Sequence, residues 1–229
     1  MNRVLMEELE GAETNNCCDG LLHVFCGPER GSRAPGARKF DHRYARSEAL
    51  IRLPESVHYV GADRWVLYGI ADCELHAFVK ADEQKNVQEL YGVQFEGYIP
   101  TRPDLHHKYD SARHTTMGGL DFYVDTWPGS NGEKTELGSD REHIDALIRA
   151  KGYKIPANMM YVRLVHLLDA EKRKELMSIY GEDSASTGFT AADLREGGKA
   201  QGQWPTLQKG LIEVKIALEE TRMPGFADS

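Results

Sequence analysis

Cys73-Glu74-Leu75-His76-Ala77-Phe78-Val79-Lys80 and, six residues later, Val87-Gln88-Glu89-Leu90-Tyr91-Gly92-Val93-Gln94-Phe95-Glu96-Gly97-Tyr98-Ile99 decide the fold class. Leu75, Ala77 and Val79 alternate with Glu74, His76 and Phe78, and Phe95 stands between Gln94 and Glu96. A period of two is that of an extended chain, whose successive side chains point to opposite faces of a sheet. The linker from Ala81 to Asn86 is far shorter than the dozen or so residues a parallel crossover needs, so the strands it joins run antiparallel.

Upstream, Val57 to Val60 and Trp65 to Ile70 read as two more strands joined by Gly61-Ala62-Asp63, which gives a four-stranded meander. Downstream, Asp121-Phe122-Tyr123-Val124-Asp125-Thr126-Trp127 and Met159 to Leu168 repeat the alternation. Between them, Ser139-Asp140-Arg141-Glu142 has the spacing of a capping box. Ile144, Leu147 and Ile148 follow as an apolar stripe and Gly152 as a helix terminator. Glu171 to Tyr180 reads as a helix ended by Gly181, and Thr190-Ala191-Ala192-Asp193 as the cap of a short turn. A last helix starts near Pro205 and carries Leu207, Leu211, Val214 and Leu218. Strands followed by helices, without regular alternation, predict an α+β fold: a curved antiparallel sheet, meander plus further strands, with helices on its apolar face.

Residues 1–42 lack a period, and Gly27 to Gly36 is linker-like, so the reading is a weakly structured N-terminal segment followed by one domain over 43–229. The chain has 229 residues and a formal net charge of -8. Residues 1–46 hold seven Lys or Arg against seven Asp or Glu, so the acidic excess lies in the patterned part. Such a surface repels phosphate backbones and anionic lipid, which argues against nucleic-acid and membrane partners. No run approaches the roughly 20 apolar residues of a bilayer span, and the N-terminus turns acidic where a signal peptide would turn apolar, so a cytoplasmic location is expected. Cys17, Cys18, Cys26 and Cys73 do not have the spacing of a disulfide scaffold.

If the strands share one sheet, Leu75, Ala77, Val79, Phe95, Phe122, Val124, Val162 and Leu164 face the helices. Glu74, His76, Phe78, Gln94, Glu96, Tyr98, Asp121, Tyr123, Asp125, Trp127, Tyr161 and Arg163 then share the other face. Aromatic rings among a few convergent polar groups are the composition of a ligand pocket. His76 beside Glu96 or Asp121 would be a general base oriented by a carboxylate. Arg163 would neutralise the carboxylates or clamp an anionic substrate. The polar stretch Pro100 to Arg113, with His106, His107 and Tyr109, lies where a lid would be.

Glu74, His76, Glu96 and Asp121, with His106, His107 and His114, are suitable metal donors. The sequence has no HExxH, CxxC pair or EF-hand loop, so no metal and no cofactor is assigned. Nucleophile elbows and phosphate-binding glycine loops are likewise missing. These residues point to a protein that binds a small polar or aromatic molecule in a concave pocket. His76, Glu96 and Asp121 would supply acid-base catalysis of lyase, isomerase or hydrolase type. Glu74, Gln94, Tyr98, Tyr123, Asp125, Trp127, Tyr161 and Arg163 would contact the ligand. The alternative is a non-catalytic interaction or stress-associated protein whose polar face is ordinary surface; an exposed sheet edge or the terminal helix would suit a homodimer.

Overall fold

A computed structural model describes residues 2–4, 21–26, 48–53, 56–117, 119–132, 134–213 and 217–219. In chain order these form β1 (Asn2–Val4), β2 (Leu21–Cys26), β3 (Glu48–Arg52), β4 (His58–Leu67), β5 (Ala71–Ala81), β6 (Val87–Tyr98), β7 (Arg113–Met117), β8 (Leu120–Ser130), α1 (Asp140–Ala150), β9 (Asn158–Leu167), β10 (Lys174–Asp183), α2 (Ala191–Leu194), α3 (Trp204–Ile212) and β11 (Ala217–Glu219). Two compact units divide the chain: residues 1–55, 116–120 and 215–229 in one, 56–115 and 121–214 in the other. The first contains an antiparallel sheet in the order β1-β2-β3-β11. Cys17, Cys18 and the Gly27 to Gly36 stretch lie outside the described residues. No described helix is long and apolar enough to cross a membrane.

The second unit is built on a seven-stranded antiparallel sheet in the order β4-β5-β6-β10-β9-β8-β7, with helices packed against it, as the α+β reading expects. Local signals form it where they are strong. Tyr68 and Gly69 both have positive φ, 47° and 74°, which makes the β4–β5 connection a type I′ turn that suits the twist of a hairpin. Asp82 closes the next hairpin by accepting from the backbone N–H groups of Gln84 and Asn86. Ser139 caps α1 through the Glu142 N–H, and Gly152 just beyond its end has a φ of 79°.

Four expectations are corrected. Tyr59 to Leu67 is not two strands with a turn at Gly61-Ala62-Asp63. It lies within the single strand β4, whose register shifts between Tyr59 and Gly61, so the bend is a bulge. Residues 171–180 are not a helix: from Lys174 onward the chain is β10, a central strand between β6 and β9. Pairing on both sides overrides the helix propensity of Glu-Lys-Arg-Lys-Glu-Leu-Met. The last helix stops at Ile212, and Leu218 lies in β11 instead, while Val214 is outside the described residues.

The fourth correction concerns the faces. Directly paired residues of an antiparallel ladder share a face, and the register pairs Leu75 with Gln94, Cys73 with Glu96, Glu96 with Glu175, Ile179 with Arg163, and Arg163 with Asp125. One face therefore carries Leu75, Ala77 and Val79 together with Gln94, Glu96, Tyr98, Tyr123, Asp125, Trp127, Tyr161 and Arg163. The other carries Glu74, His76 and Phe78 with Phe95, Phe122, Val124, Val162 and Leu164. Both faces are buried: Leu75, Ala77 and Gln94 on one are as closed to solvent as Tyr91 and Phe122 on the other. Polarity then no longer marks which way a residue points. Helix α1 packs on the first face, where Ile144 and Ile148 join Val60, Leu75, Ala77, Val79, Leu90 and Met159 in one apolar cluster. Helix α3 meets the second through Gln208, whose Oε1 accepts from Thr126 Oγ1 at 3.0 Å.

Candidate functional site

On the α1 face, polarity separates along the strands. Leu75, Ala77, Val79, Leu90, Gly92, Ile179, Met159 and Tyr161 make an apolar half, and the opposite half gathers Cys73, Gln94, Glu96, Tyr98, Glu175, Arg163, Asp125 and Tyr123. The stretch from Ile99 to Ala112 covers this polar half. The guanidinium of Arg173 holds it by donating to the carbonyls of Tyr98, Ile99, Arg102 and Leu105 at 2.7 to 3.2 Å. The His107 N–H donates to the Lys172 carbonyl at 2.7 Å.

At the centre, Glu96 on β6 faces Glu175 on β10. Glu175 Oε2 accepts from the Tyr109 hydroxyl at 2.6 Å and lies 3.0 Å from His107 Nδ1. Glu96 Oε2 faces Cys73 Sγ at 3.6 Å and Gln94 Nε2 at 3.5 Å. Protein donors thus hold one oxygen of each carboxyl, and among the described residues Oε1 of each has no such donor. Tyr98 stacks on His107 at 4.5 Å, and Tyr109, Tyr123 and His114 continue the row of rings. Arg163 lies over the Tyr109 ring and donates to Asp125 at 2.6 Å, and Ser111 Oγ donates to the same carboxylate at 2.8 Å.

The electrostatics follow from burial. Glu96 is pushed up to about 8, first by desolvation and then by the charges of Glu175 and Asp140. Glu175 rises to about 7, again chiefly by desolvation, with Tyr109 and Arg163 opposing. Desolvation also raises Asp140, and burial brings His107 down to about 4. At neutral pH the His107–Glu175 contact is therefore a hydrogen bond of a neutral imidazole and not an ion pair. Asp125 behaves differently: burial opposes its charge, but the Arg163 guanidinium and the Ser111 hydroxyl outweigh burial and hold it below the usual range. A carboxyl that keeps its proton near neutrality beside one that yields it is suited to acid-base work.

The structure brings together Gln94, Glu96, Tyr98, Tyr123, Asp125 and Arg163 of the sequence-derived set. His76 and Glu74 lie on the opposite face. There His76 Nε2 contacts Glu74 Oε1 at 3.2 Å and its Nδ1 contacts the Tyr59 hydroxyl at 3.3 Å, while Arg64 donates to Glu74 at 2.8 Å. His76 is thus not beside Glu96 or Asp121. Asp121 is exposed at the start of β8, and Trp127 stacks on Tyr161 at 5.3 Å over the apolar half. Sequence reasoning missed Glu175 because its segment read as a helix; its place opposite Glu96 comes from the pairing of β10 with β6. The roles of Tyr109 and Asp140 carried no sequence signal, since each arrives from a separate element.

Comparisons with protein-family models, with curated proteins and with solved structures find no match.

Proposed function

We propose that this chain binds a small polar or aromatic molecule over the Glu96–Glu175 pair and that the two carboxyls exchange protons with it, in a reaction of lyase, isomerase or hydrolase type. The observation that carries the reading is geometric: two carboxyls on paired strands face each other, each anchored through one oxygen and without a protein donor at the other among the described residues, beneath a stretch of chain that limits water. The rings of Tyr98, Tyr109 and Tyr123 supply flat apolar contact, and Arg163, fixed by Asp125, supplies a directed donor. The thiol of Cys73, facing Glu96, suits a reducing compartment, so the cytoplasm is the proposed location.

The test is a thermal-shift and native mass-spectrometry screen of small polar and aromatic compounds against the unaltered chain, Glu96→Gln and Glu175→Gln. Glutamine keeps the shape of each side chain and removes its acid function. Compounds that bind the unaltered chain one to one should bind both variants at least tenfold more weakly. Equal binding by the variants, or no binder at all, would reject the reading.

A further inference from the structure

We propose that Glu96, His107 and Glu175 form a binding site for one divalent transition-metal cation of the zinc, manganese or iron(II) class. The proposal uses the cluster described above but not its exchange of protons. One donor atom from each of the three residues lies within 4.8 Å of the others. Ligands at about 2.0–2.2 Å from a common ion are separated by roughly 3 Å when adjacent and a little over 4 Å when opposed, so a small movement closes the set. His107 Nδ1 and Glu175 Oε2, 3.0 Å apart, already have the spacing of adjacent ligands. Two carboxylates and an imidazole are a donor set that suits these metals, and three protein ligands leave coordination positions open to a substrate or water.

One further observation points to an electron-poor partner. The Gln94 side chain is fully buried and its amide nitrogen lies against Glu96, yet its Oε1 accepts from nothing among the described residues. Buried polar atoms without partners are rare, and this one sits beside two carboxyls to which the Arg163 guanidinium, bonded to Asp125, makes no hydrogen bond, although its Nε has no partner among the described residues. An ion, with its bound waters, gives those acceptors a partner. The surroundings resemble an outer shell as well. Tyr109 fixes Glu175, and Gln94 with Cys73 fixes Glu96, each through Oε2, and a carboxylate oxygen that accepts a hydrogen bond keeps a lone pair for an ion.

Isothermal titration and elemental analysis decide the matter. The full chain, stripped with EDTA and desalted, is titrated with Zn²⁺, Mn²⁺ and, without oxygen, Fe²⁺. One ion per chain with micromolar or tighter affinity is expected for at least one metal. His107→Gln and Glu175→Gln should weaken it at least tenfold, whereas His106→Gln, an exposed imidazole on the same stretch, should not. Cobalt(II) in the site should give visible absorption bands that change in His107→Gln. Less than a fifth of an ion per chain with every metal, or equal affinity in the unaltered chain, His107→Gln and Glu175→Gln, would overturn the proposal. Repeating the compound screen in EDTA separates the two ideas: a chain that takes metal but no compound rejects only the binding reading, and one that takes a compound but no metal rejects only this site.

Discussion

Tyr161 shows how single residues set the boundary between the two halves of the α1 face. Its ring lies over two glycines on neighbouring strands, Gly129 of β8 and Gly181 of β10. A Cβ on either would come within 2.6 to 2.7 Å of the ring, closer than carbon atoms tolerate. Glycine is needed here for space and not for backbone freedom, because neither residue has positive φ. Gly181→Ala should therefore destabilise the protein by about 1–3 kcal/mol, the usual result of overfilling a packed site. In a Tyr161→Ala background, which removes the ring, the same change should cost well under half as much. Urea denaturation of the four proteins measures this coupling, and additive effects would mean that the ring is not what excludes the side chain. Ile148 tests the other wall of the apolar half. It is fully buried in the α1 cluster, and Ile148→Ala should cost about 2–5 kcal/mol in the same assay.

Among elements, the Ile99 to Ala112 stretch has no regular structure and owes its course to a few directional bonds. The planar guanidinium of Arg173 reaches four carbonyls at once, which a lysine ammonium cannot do in a fixed geometry. Arg173→Ala and Arg173→Lys should both speed hydrogen exchange in residues 99–109, the His107 amide included, while β5 and β9 stay protected; unchanged exchange would show that ring stacking alone holds the stretch down. Elements differ in how far the sequence revealed them. The β5 and β6 strands, the capped α1 and the Thr190 capping box were legible because alternation and capping are short-range signals. The β10 strand was not, since its identity comes from partners distant in sequence. The faces were misassigned for a related reason: Phe95, Phe122 and Val124 look like the inward side of a half-wetted sheet, but with both faces covered, Gln94 and Glu96 are inward too. Of the candidate site, Gln94, Glu96, Tyr98, Tyr123, Asp125 and Arg163 were found by parity. Glu175, Tyr109 and Asp140 required the tertiary pairing itself.

For the molecule as a whole, the buried acids link stability to pH in a direction opposite to that of ordinary surface carboxylates. Glu96 and Glu175 are raised to about 8 and about 7, and Asp140 and Asp145 are raised as well, in each case chiefly by burial. In the unfolded chain such groups ionise near pH 4. Between these limits the folded protein holds protons that the unfolded chain releases, so stability is greatest at the acid end and falls as pH rises through the folded values. The groups facing Glu96 and Glu175 are Cys73 from β5, Gln94 and Tyr98 from β6, Arg163 from β9, Asp140 from α1, and His107 and Tyr109 from the covering stretch. Of these only Arg163 bears a fixed positive charge, and Asp125 offsets it. The lowered Asp82, Asp104, Asp125 and Asp193 act in the opposite sense only below about pH 4, outside this range, while His107, lowered to about 4 by burial, opposes the trend between about pH 5 and pH 6.5 and reduces its size. In EDTA, the unfolding free energy should therefore drop between pH 5 and pH 8, by an amount on the order of 1–3 kcal/mol. The Glu96→Gln, Glu175→Gln double variant should lose most of that slope, because a neutral amide has no proton to release. A saturating divalent cation should reverse it, since the ion needs the carboxylates ionised and competes with protons for them. Stability in EDTA that stays level or rises between pH 5 and pH 8 would mean that the two carboxyls are better solvated, or better paired, than their burial implies.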